Sequence, residues 1–245
     1  MDELFKCQIS QSRSIMLENT DTTVMKALLN FATMTNLKHR LWDISPLVSP
    51  QSPVFPGDTP FSGPWMAQIG PGCPVNVSAI TMSPHVGAHA DAPLHYANGA
   101  PSIAQVDLDA YLGPCRVIHA IGCGPLIEQQ HLRHALVNLP ARVLVRTSTT
   151  VPTVWQDEFS AFAPATLAWL AGLGVKLVGL DTPSVDPASS KTLEAHQVLL
   201  KHDLRVLENL VLDDVPEGDY ELIALPLKLS GSDASPVRAV LRRPL

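Results

Sequence analysis

From Pro84 to Tyr96 the chain reads PHVGAHADAPLHY, so His85, His89, Asp91 and His95 fall within eleven residues of a protein that has nine histidines in all. Two imidazoles and a carboxylate suit zinc or another divalent first-row metal, and three protein ligands leave a position open, as a catalytic site requires. Asp91 has a further capacity: with two oxygens it can bridge two ions, an arrangement that polarises a carbonyl. His95, beyond Pro93, is then free to act as general acid or base, imidazole being the side chain that ordinarily titrates near neutral pH. The alternative is a polar loop whose histidines are satisfied by local hydrogen bonds.

Geometry constrains the first of these readings. Pro84, Gly87 and Pro93 oppose a helix through the segment, and the H-E-x-x-H of a zinc-protease helix does not occur in the chain. In an extended strand the four odd-numbered positions would share one side. Yet His85 to Asp91 would span roughly 20 Å when extended, and a metal ligand sits at about 2 Å, so the chain must bend. Gly87, with the small Ala88 and Ala90, can supply that bend and let the backbone approach an ion.

Other constellations are weaker. His131 and His134 share a helical face with Gln and Arg neighbours, which reads as solvated. His39 belongs to the basic LKHR, His119 sits in the apolar RVIHAIG as a core histidine, and His196 and His202 stand six apart, off a common helical face. No G-x-S-x-G elbow, G-x-G-x-x-G or P-loop occurs, and Ser230 and Ser232 lie in a Gly/Ser turn.

The elements that must hold the cluster alternate between two textures. Apolar runs bounded by Gly, Pro and Asp predict strands at LWDI, VNVSAI, CRVIHAI, RVLVRT, KLVGLD, NLVLDD, YELIAL, PLKLS and VRAVLRR. Helical patterns cover 127–136, 164–174 and 190–203. KLVGLD and NLVLDD flank the last of these and predict buried parallel strands with polar groups at their carboxyl ends. Prolines crowd residues 46–74, an irregular stretch expected to form a wall of the active site, with Asp58 of "PGD" near the site. Residues 1–37 form an N-terminal extension, flexible or a peripheral helix, ahead of one domain over 38–245.

Composition narrows the class. Apolar residues make up 46% and charged residues 16%, which fits a globular protein with a well-covered core. A formal charge of −6 without a basic run disfavours nucleic acid. Four cysteines without a C-x-x-C pair, no signal-peptide pattern and no membrane-length apolar run predict a cytoplasmic protein off the membrane.

The segment HVGAHADAPLHY resembles the signature H-x-G-[TA]-H-x-D-x-P-x-H-[FY] of the cyclase family of metal-dependent hydrolases. LWDISPLVSPQSPVFPGDTPF, LVGLDTPSVDP and LPLKLSGSDASPVRAVL resemble the opening, a later strand and loop, and the C-terminus of that family's bacterial kynurenine formamidases, so the resemblance covers about residues 40 to 245. It implies a single swivelling β/β/α-type domain with a mixed sheet, a strand-rich N-terminal part and flanking helices, assembled as a homodimer or a larger oligomer. It also implies two zinc ions per subunit, with manganese or another divalent ion as the alternative. By motif position His85, His89 and Asp91 would bind the first metal, Asp91 would bridge to the second, and His196 and Glu208 would complete it, a pair that the resemblance selects. His95 would donate and accept the proton. The implied reaction is hydrolysis of N-formyl-L-kynurenine, a small-molecule substrate, to L-kynurenine and formate in tryptophan degradation. Phe55 stands where the formamidases usually carry Trp before "PGD", so an aromatic substrate wall survives without its indole donor, and Tyr96 is a second candidate for that wall. The rival expectations are another amide hydrolase of the family, such as one opening isatin, and a non-catalytic metal-binding protein of the same fold.

Overall fold

The computed structural model describes residues 39–244, and within it Leu41–Arg243 form one compact unit. The expected extension over residues 1–37 lies outside the described residues. The strands are β1 (His39–Asp43), β2 (Trp65–Ala67), β3 (Val77–Ser78), β4 (His89–Asp91), β5 (Leu112–His119), β6 (Leu126–Ile127) and β7 (Arg142–Arg146). They continue with β8 (Ala161–Phe162), β9 (Leu177–Leu180), β10 (Arg205–Glu208), β11 (Gly218–Ile223), β12 (Ala234–Pro236) and β13 (Val240–Pro244). The helices are α1 (Pro93–Tyr96), α2 (Gln129–Leu132), α3 (Pro164–Gly172) and α4 (Glu194–His202).

Among the described residues nine strands make one mixed sheet in the order β1-β13-β11-β5-β7-β9-β10-β4-β12, which is the α/β class expected from the sequence. Its centre, β5-β7-β9-β10, is parallel, and antiparallel pairs extend it on both sides. The central strands read as near-continuous apolar runs because both faces are covered. Val143 and Val145 enter the core beneath α3 and α4, while Leu144 between them enters the opposite core; Val178 and Leu177, and Val206 and Leu207, divide the same way. Each such buried side chain contributes roughly 1.5–3 kcal/mol.

Three expectations are corrected. NLVLDD is not a strand: the strand is Arg205–Glu208, and Asn209 at φ +56 turns the chain off the sheet, so that Leu210 and Leu212 fill the core instead. PLKLS is likewise irregular, its Leu227 amide donating to the Ser235 side-chain Oγ of β12 rather than to a strand carbonyl. The helix expected over 127–136 is reduced to α2 and a 3-10 turn at Arg133–Ala135. The apolar residues at these places mark burial, which a core loop provides as well as a strand does.

The histidine segment itself is a strand followed by one helical turn. Pro93 occupies the first position of α1, where its missing N–H costs nothing. Register then sets its neighbours. Glu208 lies opposite His89, and Ala234 opposite Asp91, so β10 and β12 bring residues far apart in sequence alongside the cluster.

Candidate metal centre and substrate cavity

Gly87 makes the bend that the spacing demanded. Its φ of +73 suits glycine, and a Cβ there would stand 2.6 Å from Val48 Cγ2. Its carbonyl accepts a hydrogen bond from His89 Nδ1 at 2.9 Å, which leaves His89 Nε2 aimed inward. Gly87→Ala is therefore expected to cost about 1–3 kcal/mol, read as a lower urea midpoint; an unchanged midpoint would show that the bend is not needed.

Asp91 is the hub. Its Oδ1 lies 3.1 Å from His85 Nδ1 and 3.4 Å from His89 Nε2, while its Oδ2 lies 3.4 Å from His196 Nε2. Glu208 closes the ring, Oε2 at 3.2 Å from His89 Nε2 and Oε1 at 3.9 Å from His196 Nε2. These approaches are close but do not have hydrogen-bond geometry. His89 Nε2, His196 Nε2 and both Asp91 oxygens thus stay buried without a hydrogen-bond partner among the described residues. Buried polar atoms without partners are costly, and here all four face one another.

Each of the three ring systems is held from behind. His196 Nδ1 meets Asp186 Oδ2 at 2.6 Å, His89 Nδ1 meets the Gly87 carbonyl, and His85 Nε2 meets Asp233 Oδ2 at 3.0 Å. The second nitrogen of each faces the carboxylates, as metal-ligating histidines do. Asp186 also accepts the amides of Ala195 and His196 at 2.8 and 3.0 Å, starting α4 where Leu193 offers no capping side chain. One carboxylate therefore both begins the helix and orients its ligand candidate. The donor set fits divalent metal, and His89, Asp91 and Glu208, and separately His85, Asp91 and His95, place their atoms within reach of a common ion.

Electrostatics agree with that fit. Burial opposes charge on His85, but pairing with Asp233 and Asp91 outweighs it and lifts its pKa to about 9. Burial likewise opposes charge on His89 and His196, and the surrounding carboxylates raise both to about 10. Burial favours the neutral form of Asp91, yet the three imidazoles hold it well below the usual carboxylate range. The carboxylates demand positive charge, which protons supply when no metal does. At pH 7 the metal-free histidines are protonated, and ligation needs them neutral, so metal binding is expected to release protons and to tighten as pH rises towards about 9 to 10. Calorimetric titration in two buffers of different ionisation enthalpy checks this; identical observed enthalpies would rule it out.

His95 sits apart from the buried group. Its side chain is 32% exposed against 1% for His89, and its Nδ1 lies 3.2 Å from Asp233 Oδ2. It borders a cavity of about 630 Å³ shared by His85, His196 and Glu208, a size suited to a small organic ligand. Thr182, Asp181 and Asn209 also line it, at or just beyond the carboxyl ends of the parallel strands β9 and β10, where open sheets of this kind bind ligands. Pro53, Phe55 and Asp58 come from the proline-rich stretch, as expected of a wall. Phe55 packs edge-on to Trp155 at 5.2 Å, and Trp155 edge-on to Phe159 at 6.3 Å. Tyr96 is corrected: it does not line the cavity but lies against the His196 ring at 5.2 Å.

Residue spacing missed Asp186, Asp233, Trp155 and Phe159. The only signal for the two aspartates was that SVDP and SGSDAS fall in stretches resembling the family; Trp155 and Phe159 lie in no such stretch. His119 is half-buried and donates from Nε2 to the Val215 carbonyl at 2.8 Å, a satisfied histidine remote from the cluster.

Comparison with known proteins is consistent across sequence and structure. The Cyclase family model ("Putative cyclase") matches residues 37–187. The chain is 70% identical to the kynurenine formamidase of Delftia acidovorans over 206 residues, 84% of this chain and 99% of that one. It is similar to a solved structure described as a potential metal-dependent hydrolase with cyclase activity, with a TM-score of 0.74 and 26% identity over 84% of this chain and 98% of the other. An isatin hydrolase bound to thioisatinate shares the fold at a TM-score of 0.71 and 19% identity, over 92% of this chain and all of that one. Among the described residues no helix is long and apolar enough to cross a membrane.

Proposed function

The chain belongs to the cyclase family, and from that premise we propose that it hydrolyses N-formyl-L-kynurenine to L-kynurenine and formate. The observation that carries this reading is its likeness to the Delftia formamidase through nearly the whole length of that enzyme. His85, His89 and Asp91 hold the first metal, and Asp91, His196 and Glu208 the second; zinc is the ion of choice for this nitrogen and oxygen donor set. When bound, such ions polarise a carbonyl and acidify an attacking water. Asp91 and Glu208 supply the negative charge that retains them. His95 takes up the proton lost in attack and returns it to the arylamine nitrogen as the C–N bond breaks, which fits its position at the cavity edge. Phe55, with Trp155 and Phe159, offers the substrate's aryl ring an aromatic wall.

A homodimer is the proposed assembly of the 38–245 domain. The exposed Trp65, Met66 and Val77 of the β2–β3 hairpin support it, since large apolar side chains left in solvent favour a protein partner. Free thiols at Cys73, Cys115 and Cys123 suit the reducing cytoplasm.

The test is a side-by-side assay of zinc-loaded protein on N-formylkynurenine and on isatin. Turnover of the formamide with little on isatin is the expected result. The opposite preference would move the activity to cyclic amides, and turnover of neither would leave a metal-binding protein.

A further inference from the structure

Asp233 belongs to neither proposed metal set, yet one of its oxygens reaches two imidazoles of the site. Oδ2 lies 3.0 Å from His85 Nε2 and 3.2 Å from His95 Nδ1, and the two rings stand 4.4 Å apart. We propose that Asp233 is a positioning residue that fixes His85 with Nδ1 turned to the metal and His95 with Nε2 left to carry the proton. The inference rests on the formamidase reading above.

The chemistry follows from what a carboxylate can do. An ionised carboxylate only accepts hydrogen bonds, so each nitrogen facing Asp233 must carry the hydrogen. In a neutral imidazole the lone pair then resides on the other nitrogen. For His85 that is Nδ1, which already lies 3.1 Å from Asp91 Oδ1. For His95 it is Nε2. A single acceptor oxygen shared by two donors also ties the rings together, so the ligand and the proton carrier cannot turn independently. His196 is held by a different carboxylate, Asp186.

The backbone keeps Asp233 in place whatever its side chain does. Its carbonyl accepts from the Ala92 amide at 2.8 Å, and β12 begins at the next residue with Ala234 opposite Asp91. The same register that positions Asp91 therefore positions Asp233. Its side chain is 43% exposed, so it can be shortened without opening the core.

Asp233→Ala, made in the full chain alone and together with His95→Ala, tests the assignment. Two quantities are read: kcat on N-formylkynurenine and zinc affinity by competition with a chromophoric chelator. In the wild-type background kcat is expected to fall at least about tenfold and zinc affinity about 10–100-fold, the usual cost of losing a ligand's outer partner. In the His95→Ala background kcat should fall much less, because there is no proton carrier left to orient, while the loss of zinc affinity persists. Asp233→Asn, which preserves volume, is expected to lie between wild type and Asp233→Ala in both. Equal fold-losses of kcat in the two backgrounds, or zinc affinity untouched by either substitution, would overturn the assignment. If wild-type protein leaves N-formylkynurenine intact, the formamidase reading fails instead, and the chelator arm still judges how Asp233 holds His85.

Discussion

Asp91→Asn is expected to lose metal and turnover together, and to do so more completely than any other single substitution. Each Asp91 oxygen serves a different side of the site, Oδ1 towards His85 and His89 and Oδ2 towards His196. An amide keeps the volume but replaces one acceptor with a donor aimed at an imidazole or an ion, and removes a negative charge from a group only 1% exposed. Losing a partner behind a ligand already costs about 10–100-fold in metal affinity or activity, so loss of the central carboxylate should cost more than about a thousandfold in kcat/KM. Elemental analysis of the purified variant should find it nearly metal-free. A full complement of metal, with activity within tenfold of wild type, would remove Asp91 from the centre of the mechanism.

His95→Ala should behave in the opposite way, keeping its metal while kcat falls about 10²–10⁴-fold, the usual contribution of a positioned acid–base group. The separation follows from geometry. His95 is the exposed member of the cluster, borders the cavity and pairs through Nδ1 with Asp233 rather than with Asp91 or Glu208. Its nitrogen nonetheless lies within reach of an ion shared with His85 and Asp91. Metal content therefore decides between two roles. Retained metal with lost turnover makes His95 the proton carrier, whereas parallel loss of both makes it a ligand.

Spacing and composition made part of this arrangement legible. A bend had to occur between His85 and Asp91, and Gly87 provides it at positive φ. The parallel strand at KLVGLD and the strand-rich character of the chain were visible because apolar runs bounded by Gly and Asp report burial on both faces. The same rule misplaced NLVLDD and PLKLS, since apolar residues in a core loop are indistinguishable by pattern from those in a strand. The helix over 190–203 was visible from its periodicity, but not its starting point, because Asp186 caps it from eight residues upstream of Glu194.

The amino-acid sequence by itself determined that a compact His/His/Asp/His cluster exists on a bent, small-residue segment, and resemblance pointed from there to His196 and Glu208. Only the tertiary structure decided that these groups meet. Register across β10, β4 and β12 sets Glu208 beside His89 and carries Asp233 to His85 and His95. No local pattern encodes those contacts, because the pairing of strands over a hundred residues apart depends on how the whole sheet buries its two faces. The aromatic wall of Phe55, Trp155 and Phe159 is of the same kind. Phe55 comes from one loop and Trp155 and Phe159 from another, and the two loops acquire a common side only when the sheet beneath them has formed.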